Sequence, residues 1–427
     1  MNSAIKMYKH IFYHIIFIII IATSCTTYQN TSGTRNKNVS FIYNPSSSVL
    51  HPQFVVYNET DTSSKVYLKL KNKELMYVAN GETSQAIIKV HYYLYNSSKT
   101  MFLVDSGTFY YHSKQFNTEN IIKSFEIKTK DTVSYFLDLT IYDENQNAEN
   151  QFFISIDRTQ RINKNDALIV DKNNNPYFEP LHSDTDTFKI VMRKNLPKKW
   201  TVSWFQNKFM LRPAPYSLGN YNRFMPPKPD STRVVWLTDT STFTLKNDGI
   251  IHFYQDTLKL GFSVLEFYQS FPEITTPVCL LQPLRMLTTQ KEFNDMNLLA
   301  NKKESVDKFW LNAGGNVNRA RELIRVFYTR VMLANTYFTS YTEGWKTDRG
   351  LIYIVFGLPV TIYKADGIER WIYGTSQSNK TLVFNFMRQQ NPFTNNDFTL
   401  VREEMYKISW TQAVDTWRNG RVYSVAY

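Results

Sequence analysis

Apolar and polar positions alternate along the first third of the chain. Val66, Leu68 and Leu70 are each separated by one polar or aromatic residue, which is the period of two expected for a half-buried strand. Turn-forming clusters separate similar runs at residues 86–95, 100–111, 133–142 and 151–156. Short strands at this spacing predict an antiparallel β-sandwich over residues 46–165.

A second strand-rich segment covers residues 166–284. Its clearest predicted strands are 188–192, 234–237 and 258–268. Prolines from Pro213 to Pro229 interrupt this segment. Because proline cannot donate a hydrogen bond to a neighbouring strand, we predict an irregular loop or a sheet edge there. This loop would serve as an interface or pack on its own domain, and its interface-type residues are Arg212, Tyr216, Tyr221 and Arg223.

Beyond Pro283 the apolar period becomes that of a helix. The residues that follow it are Ala320, Leu323, Ile324, Phe327, Val331, Ala334 and Phe338. We predict a helix over residues 320–338 with Asn316 or Asn318 as its N-cap, and a shorter preceding helix with Ser305 as its N-cap. The predicted fold class is two antiparallel β-sandwich-like domains followed by a C-terminal α+β domain, residues 285–427, in which helices precede a small antiparallel sheet.

A polar run bracketed by glycines, Gly344-Trp345-Lys346-Thr347-Asp348-Arg349-Gly350, is the most distinctive motif and is named here the signature run. We predict that it forms a loop and that Leu351–Phe356 forms a strand, which the turn at Gly357 and Pro359 ends. Gly344 and Gly350 would supply backbone freedom for a tight entry. Trp345 is large enough to fill the space between helix and sheet. Thr347 and Asp348 can accept hydrogen bonds from turn amides.

Further strands are predicted after this turn. The first contains Glu369, Trp371 and Tyr373, and the others cover residues 381–386 and 398–401. Glu369 is a suitable cross-strand ion-pair partner for Arg349.

The signature run and the acidic-x-Trp-x-aromatic strand at Glu369 resemble those of the GWxTD-domain proteins, envelope lipoproteins of the Bacteroidetes type with no established biochemical function. The arginine-rich helix and the Ala334-Asn335 pair resemble the segment that precedes the signature in that family. The chain departs from the family after Gly357, because many members continue as Gly-Pro-Pro-Asp. The resemblance implies a fold for the C-terminal region and no reaction.

Catalytic chemistry has few candidates here. None of the seven histidines lies beyond His252, which excludes a histidine-based triad or zinc site at the signature run. Asp348 with Glu343, or Glu369 with Asp366, could act as general acid and base. The alternative is that Asp348 accepts turn hydrogen bonds and Glu369 pairs with arginine. We predict no cofactor and no metal ion.

The N-terminus resembles a lipoprotein export signal. Lys6 and Lys9 precede an apolar stretch over residues 11–22, and small residues lead to Cys25. We predict a signal peptide over residues 1–24 and lipidation of Cys25, with an ordinary signal peptide or a membrane-anchored N-terminus as alternatives. Residues 25–45 read as a flexible tether. Surface export of lipoproteins of the Bacteroidetes type resembles a rule that requires acidic residues just after the lipidated cysteine. Residues 26–57 contain no acidic residue, so we predict that the protein lies on the periplasmic side of the outer membrane.

Composition adds little to this interpretation. The net charge is +12, but the basic residues are scattered, and an exported chain meets no nucleic acid. Lipid phosphates or an acidic partner remain possible contacts. Cys25 and Cys279 are the only cysteines, so lipidation of the first leaves no disulfide, and Cys279 reads as a buried small apolar residue.

These features favour a non-enzymatic outer-membrane lipoprotein that acts as a protein-interaction or assembly module of the cell envelope. The first alternative is a carbohydrate-binding lipoprotein, which requires exposed aromatic residues on one sandwich face. The second alternative is a polysaccharide- or peptidoglycan-acting enzyme, which requires two facing carboxylates in a cleft.

Overall fold

A computed structural model describes residues 38–47, 49–81, 83–97, 102–114, 119–178, 187–206, 209–219, 224–238, 241–244, 249–255, 259–365, 367–374 and 381–424. All of them fall in one contact unit, Thr34–Tyr427. None of the helices in these ranges is both long and apolar enough to cross a membrane. Cys25 lies outside the described residues.

The N-terminal β region is a sandwich of antiparallel strands. Its strands are β1 (Gln53–Asn58), β2 (Ser63–Lys71), β3 (Val78–Asn80), β4 (Thr83–Asn96), β5 (Phe102–Lys114), β6 (Asn120–Lys128), β7 (Ser134–Asp143) and β8 (Ala148–Asp157). β1, β2 and β6 form one sheet, and β3, β4, β7 and β8 form the other, with β5 paired to β4. The alternating residues of β2 and β4, such as Leu68 and Val90, are buried between the sheets, as the period of two predicts.

The second β region also consists of antiparallel strands. These are β9 (Ala167–Val170), β10 (Thr187–Met192), β11 (Lys199–Gln206), β12 (Ser231–Trp236), β13 (Thr242–Thr244), β14 (Gly249–Tyr254) and β15 (Gly261–Glu266). They form a β13-β10-β9 sheet and a β12-β11-β14-β15 sheet around a core that includes Phe188, Trp200 and Phe253. The described parts of the proline-rich segment have no regular structure, as predicted.

The C-terminal region contains helices and a small antiparallel sheet. The helices are α1 (Pro277–Leu281), α2 (Gln290–Leu298), α3 (Lys302–Gly314), α4 (Val317–Phe338), α5 (Asp348–Phe356) and α6 (Tyr406–Arg418). The strands are β16 (Thr361–Ala365), β17 (Ile368–Tyr373), β18 (Leu382–Arg388) and β19 (Phe398–Leu400), paired in that order. The predicted fold class is therefore confirmed.

Helix boundaries follow their caps. Asn316 caps α4, because its side chain accepts a hydrogen bond from the backbone N–H of Arg319 at 3.0 Å. The prediction that Ser305 is the N-cap of the preceding helix is wrong, since α3 begins at Lys302 and Asn301 is its N-cap. Ser305 is instead buried inside α3, where its hydroxyl donates to the Met296 carbonyl.

The prediction of a strand at residues 351–356 is also wrong. These residues belong to α5, in which every residue is buried. A helix buried on all sides shows no amphipathic period, so a short apolar run of this kind reads equally well as a buried strand. Gly357, with φ of +86°, ends the helix and directs the chain into β16.

Residues 38–43 pack into the C-terminal region. The Val39 N–H donates to the Ile362 carbonyl of β16 at 2.9 Å. The Asn38 side chain donates to the Val360 carbonyl and accepts from the Ile362 N–H, both at 3.0 Å. Val39 and Tyr43 are buried in the same core as α4, α5 and the small sheet. The part of the predicted tether that the structure describes is thus docked on the C-terminal domain.

Cys279 is less buried than predicted. It lies on α1 as a free thiol and is half-buried, because α1 presents one side to solvent.

Candidate functional site

The signature run is a turn only as far as Thr347, and the prediction of a loop up to Gly350 is wrong, because Asp348, Arg349 and Gly350 form the first turn of α5. Gly344–Lys346 is a 3₁₀ turn, and Thr347 is the N-cap of α5. The Thr347 hydroxyl accepts from the Gly350 N–H at 3.1 Å and donates to the Gly344 carbonyl at 2.7 Å. One hydroxyl therefore satisfies both the end of the turn and the start of the helix.

Both glycines of the signature run are required by close backbone contacts. A Cβ on Gly344 would lie 1.9 Å from the carbonyl oxygen of Ala334 in α4. A Cβ on Gly350 would lie 1.9 Å from the carbonyl oxygen of Gly344. The spacing of the two glycines thus lets α4, the turn and α5 touch through their backbones.

Trp345 is buried in the main core of the C-terminal region. Its backbone N–H donates to the Asn335 side-chain oxygen at 3.2 Å. The amide nitrogen of Asn335 donates to the Pro272 carbonyl at 3.0 Å. A single side chain of α4 therefore joins the signature run to the segment between β15 and α1.

Asp348 connects α5 to the last strand of the sheet. One carboxylate oxygen accepts from the Leu400 N–H at 3.0 Å and from Arg402 at 3.1 Å, and the other oxygen also accepts from Arg402. Glu343, its suggested catalytic partner, pairs with Lys346 at 2.8 Å. Each carboxylate therefore has its own cation.

Arg349 and Glu369 form the predicted ion pair, at 3.0 Å, and both side chains are buried. The second guanidinium nitrogen of Arg349 donates to the Asn396 carbonyl at 2.9 Å. The guanidinium also lies over the ring of Phe398, 4.1 Å from its centroid. Arg349 thus ties α5 to β17 and to the loop before β19.

Glu369 is the most heavily bonded carboxylate of the site. It accepts from the Tyr43 hydroxyl at 2.9 Å and the Trp371 indole N–H at 3.2 Å, and Lys364 lies 3.3 Å away. Burial by itself raises the pKa of Glu369, but the charges of Lys364 and Arg349 outweigh it and hold that pKa below its usual value. Glu369 is a poor proton donor for this reason. Asp366, its suggested partner, lies outside the described residues.

The C-terminal end of α5 is capped by distant side chains. Arg330 of α4 donates to the Ile354 carbonyl at 3.1 Å, and the Trp417 indole donates to the Val355 carbonyl at 3.0 Å. The Tyr373 hydroxyl donates to the Gly357 carbonyl at 2.8 Å. Pro359, which is buried, follows before β16 begins. These bonds satisfy carbonyls that a helix end leaves open.

The proline-rich loop packs against the signature run. The Arg212 N–H donates to the Lys346 carbonyl at 3.1 Å, and the Arg212 side chain bonds the Tyr341 hydroxyl at 3.2 Å. The second nitrogen of Arg402 donates to the Pro213 carbonyl at 3.0 Å. This part of the loop therefore packs on its own protein. Tyr221 and Arg223 lie outside the described residues.

Sequence reasoning missed several residues that complete this site. Tyr43, Asn335, Asn396 and Arg402 bond the signature residues, and Tyr43 is 326 positions away from Glu369. No local pattern marks them, because their partners are set by the fold. Within the described ranges, no cluster of His, Cys, Asp or Glu is arranged to hold a metal ion.

The fold and site define a β-rich protein whose C-terminal α+β region is built around a buried signature. Residues 249–419 match the family model of the GWxTD domain, the family that the sequence resemblance predicted. The match begins at β14, well before the segment in which the sequence resemblance was seen. It covers less than half of the chain, and the N-terminal sandwich lies outside it.

Other comparisons give no closer relationship. No curated protein matches the chain. A beta-glucuronidase from Bacteroides uniformis is 10% identical, with 39% of this chain and 16% of that chain covered and a TM-score of 0.19. A putative beta-galactosidase from Bacteroides fragilis is 12% identical, with 31% and 19% covered and a TM-score of 0.18. The chain thus spans less than a fifth of these proteins, and TM-scores this low support no conclusion.

Proposed function

We propose that the protein is a non-enzymatic outer-membrane lipoprotein that binds a protein partner of the cell envelope through the outer face of its small sheet. The inner face of this sheet, with Trp371, Phe384 and Phe386, is buried in the main core. The outer face pairs Ile368 with Met387 and Ile372 with Val383 across β17 and β18. Ile368 and Met387 are exposed, which is the observation that carries the proposal.

The composition of this outer face suits a protein partner. Arg370 and Asn385 are paired between the two apolar pairs. Exposed Val401, Met405 and Ile408 follow β19 in the chain. Methionine and arginine among branched apolar residues are typical of protein interfaces, and contiguous exposed apolar residues commonly mark interaction sites.

The state of the signature carboxylates supports a non-enzymatic role. Asp348 and Glu369 are buried, and each is bonded to arginine. Asp348→Asn tests this view. We expect the C-terminal domain to lose stability in urea unfolding, because Arg402 loses its charged partner. A stable Asp348→Asn protein that has lost a measurable hydrolytic activity would support the enzyme alternative.

The docked N-terminal segment suggests how a lipid on Cys25 would place this domain. The 13 residue steps from Cys25 to Asn38 can span at most about 47 Å when fully extended. Because Asn38 and Tyr43 bond the C-terminal domain, the lipid would hold that domain, which is last in the chain, within about this distance of the membrane. The proposed partner is therefore a protein near the membrane surface, on the periplasmic side.

Affinity purification tests the partner-binding surface. The tagged protein is purified from its native envelope in mild detergent, and co-purified proteins are identified by mass spectrometry. We expect Met387→Asp, at a position 51% exposed, to lose the partner. The matched control is Met210→Asp, at an 88% exposed position outside the sheet, which should retain it. Equal recovery by both folded variants, or no partner with the unmodified protein, contradicts the proposal.

A further inference from the structure

A pocket of about 790 Å³ opens at one end of the N-terminal sandwich. It lies between the β1–β2 turn, the end of β6 and the beginnings of β5 and β7, far in sequence from the GWxTD domain. Its volume falls in the range of small-molecule sites, roughly 300–1,000 Å³. The signature run and the outer face of the small sheet do not contribute to it.

One wall of this pocket consists of hydroxyl groups on a fixed backbone. Thr60, Ser63 and Thr129 line it, and the Thr60 and Ser63 hydroxyls are 2.9 Å apart. The guanidinium of Arg158, fully buried beneath them, donates to the Ser63 carbonyl at 3.1 Å and to the Thr129 hydroxyl. Asp131 neutralises this arginine. The wall is therefore built before any ligand binds.

Tyr135 offers a hydrogen-bond donor at the same place. It lines the pocket and is only 3% exposed. Its hydroxyl oxygen accepts from the Lys130 N–H at 2.8 Å. Among the residues that the structure describes, its hydroxyl proton has no acceptor. A buried phenol with a free proton that faces a pocket is positioned to donate to a ligand oxygen.

The mouth of the pocket combines an aromatic ring with positive charge. Phe102 is 52% exposed at the rim, so that its ring is accessible to a ligand. Lys128 and Lys130 also line the pocket, together with one acid, Glu126. The Lys128 ammonium is 4.0 Å from Asp105 and mostly exposed, which leaves it available to an anion.

We infer that this pocket binds a sugar residue that carries an anionic group. Hydroxyl side chains can both donate to and accept from sugar hydroxyls, and an exposed ring can pack on the apolar face of a sugar. Two lysines favour a carboxylate, sulfate or phosphate substituent through charge-assisted hydrogen bonds. This pocket is separate from the proposed partner surface, so the sugar-binding proposal and the partner-binding proposal can each fail without affecting the other.

Titration by NMR of the purified protein tests the inference with matched probes. D-galacturonate carries the required carboxylate, D-galactose lacks it, and inorganic phosphate supplies charge without a sugar. We expect galacturonate to bind with Kd near or below about 10 mM and galactose to bind at least fivefold more weakly. The residues whose signals shift should include Tyr135 and Lys130.

Two variants distinguish specific binding in this pocket from general electrostatic attraction of anions to the protein. Tyr135→Phe should weaken galacturonate binding about fivefold through one lost hydrogen bond. Lys130→Gln, at an exposed position that should not affect folding, should weaken it about tenfold. Lys73→Gln removes the same charge from an exposed site outside the pocket and should have no effect.

Three results would overturn the inference. Phosphate binding as tightly as galacturonate would show that the lysines attract any anion. Equal affinity for galactose and galacturonate would remove the anionic requirement. A loss in Lys73→Gln as large as that in Lys130→Gln would show that net charge, and not this pocket, determines binding.

Discussion

The buried pair of Arg349 and Glu369 gives the sharpest test of whether the signature run stabilises the fold by holding α5 against the small sheet. Arg349→Met removes the 3.0 Å ion pair and the hydrogen bonds to Asn396. It leaves the Glu369 carboxylate buried with Lys364 as its nearest cation, at 3.3 Å. Removing one partner of a buried pair costs about 3–5 kcal/mol. Because Lys364 compensates part of the lost charge, we expect a loss of about 3 kcal/mol in the free energy of unfolding.

Glu369→Gln removes the other charge and leaves the side chain nearly the same size. Arg349 then loses its charged partner and keeps its bonds to Asn396 and its contact with the Phe398 ring, so we again expect a loss of about 3 kcal/mol. The double variant Arg349→Met/Glu369→Gln removes both charges of the pair and leaves Lys364, whose side chain is partly exposed, as the remaining cation beside it. Its loss should therefore be smaller than the sum of the two single losses, by about 2 kcal/mol.

Urea unfolding followed by tryptophan fluorescence measures these losses. Trp371 is a suitable reporter, because its indole N–H donates to Glu369. A control cycle uses Lys308 and Glu304, whose 2.6 Å pair is exposed on α3. That cycle should show a coupling below about 0.5 kcal/mol. Single losses under about 1 kcal/mol, or additivity within about 0.5 kcal/mol, would refute the reasoning.

The pH dependence provides a second readout of the same pair. The pKa of folded Glu369 lies below its usual value of 4.5, because the neighbouring cations outweigh burial. Its stabilising contribution is therefore complete above that value and is lost as the pH falls through the folded pKa. In Glu369→Gln, this part of the acid destabilisation should disappear. An unchanged acid profile would contradict the assignment.

Other predictions follow from single contacts. Gly344→Ala should cost more than about 3 kcal/mol in urea unfolding, because its Cβ would lie 1.9 Å from a carbonyl oxygen. Gly315→Ala, with φ of +70° but open space around it, should cost only about 1 kcal/mol. Burial lowers the pKa of His252 to about 4, so stability should fall by about 3 kcal/mol from pH 7 to pH 4, and His252→Gln should lack this slope. Cys25→Ser should abolish palmitate labelling and membrane fractionation, and retained labelling would refute lipidation at this residue. Protease treatment of intact cells should leave the protein uncleaved, since cleavage would contradict a periplasm-facing orientation.

Contacts at the signature run connect segments that are far apart in the chain. Tyr43 from the N-terminal segment, Arg349 from α5 and Lys364 from β16 all meet at Glu369. Arg212 from the proline-rich loop bonds the backbone of the signature run. Segments far apart in sequence therefore depend on one buried carboxylate and one turn.

Much of this architecture was readable from the sequence because it depends on local periods and caps. The period of two located the sandwich strands, since side chains alternate between the faces of a strand. The 3.6-residue period located α4, whose apolar stripe faces the core, and Asn316 fixed its start. The ion pair between Arg349 and Glu369 was predicted from their opposite charges, but as a pair across two strands; Arg349 lies on α5, so the pair joins a helix to a strand.

The tertiary structure alone decided the rest. Residues 351–356 belong to a helix that the adjacent Thr347 caps. Arg330 and Trp417 satisfy its last carbonyls, and no local pattern reveals these two partners. Tyr43 reaches Glu369 only through the docking of residues 38–43 on β16. Sequence specifies which residues are apolar, polar or turn-forming over a few positions. Which buried polar groups meet depends on contacts hundreds of residues apart, because each one must find a partner wherever the packed core places it.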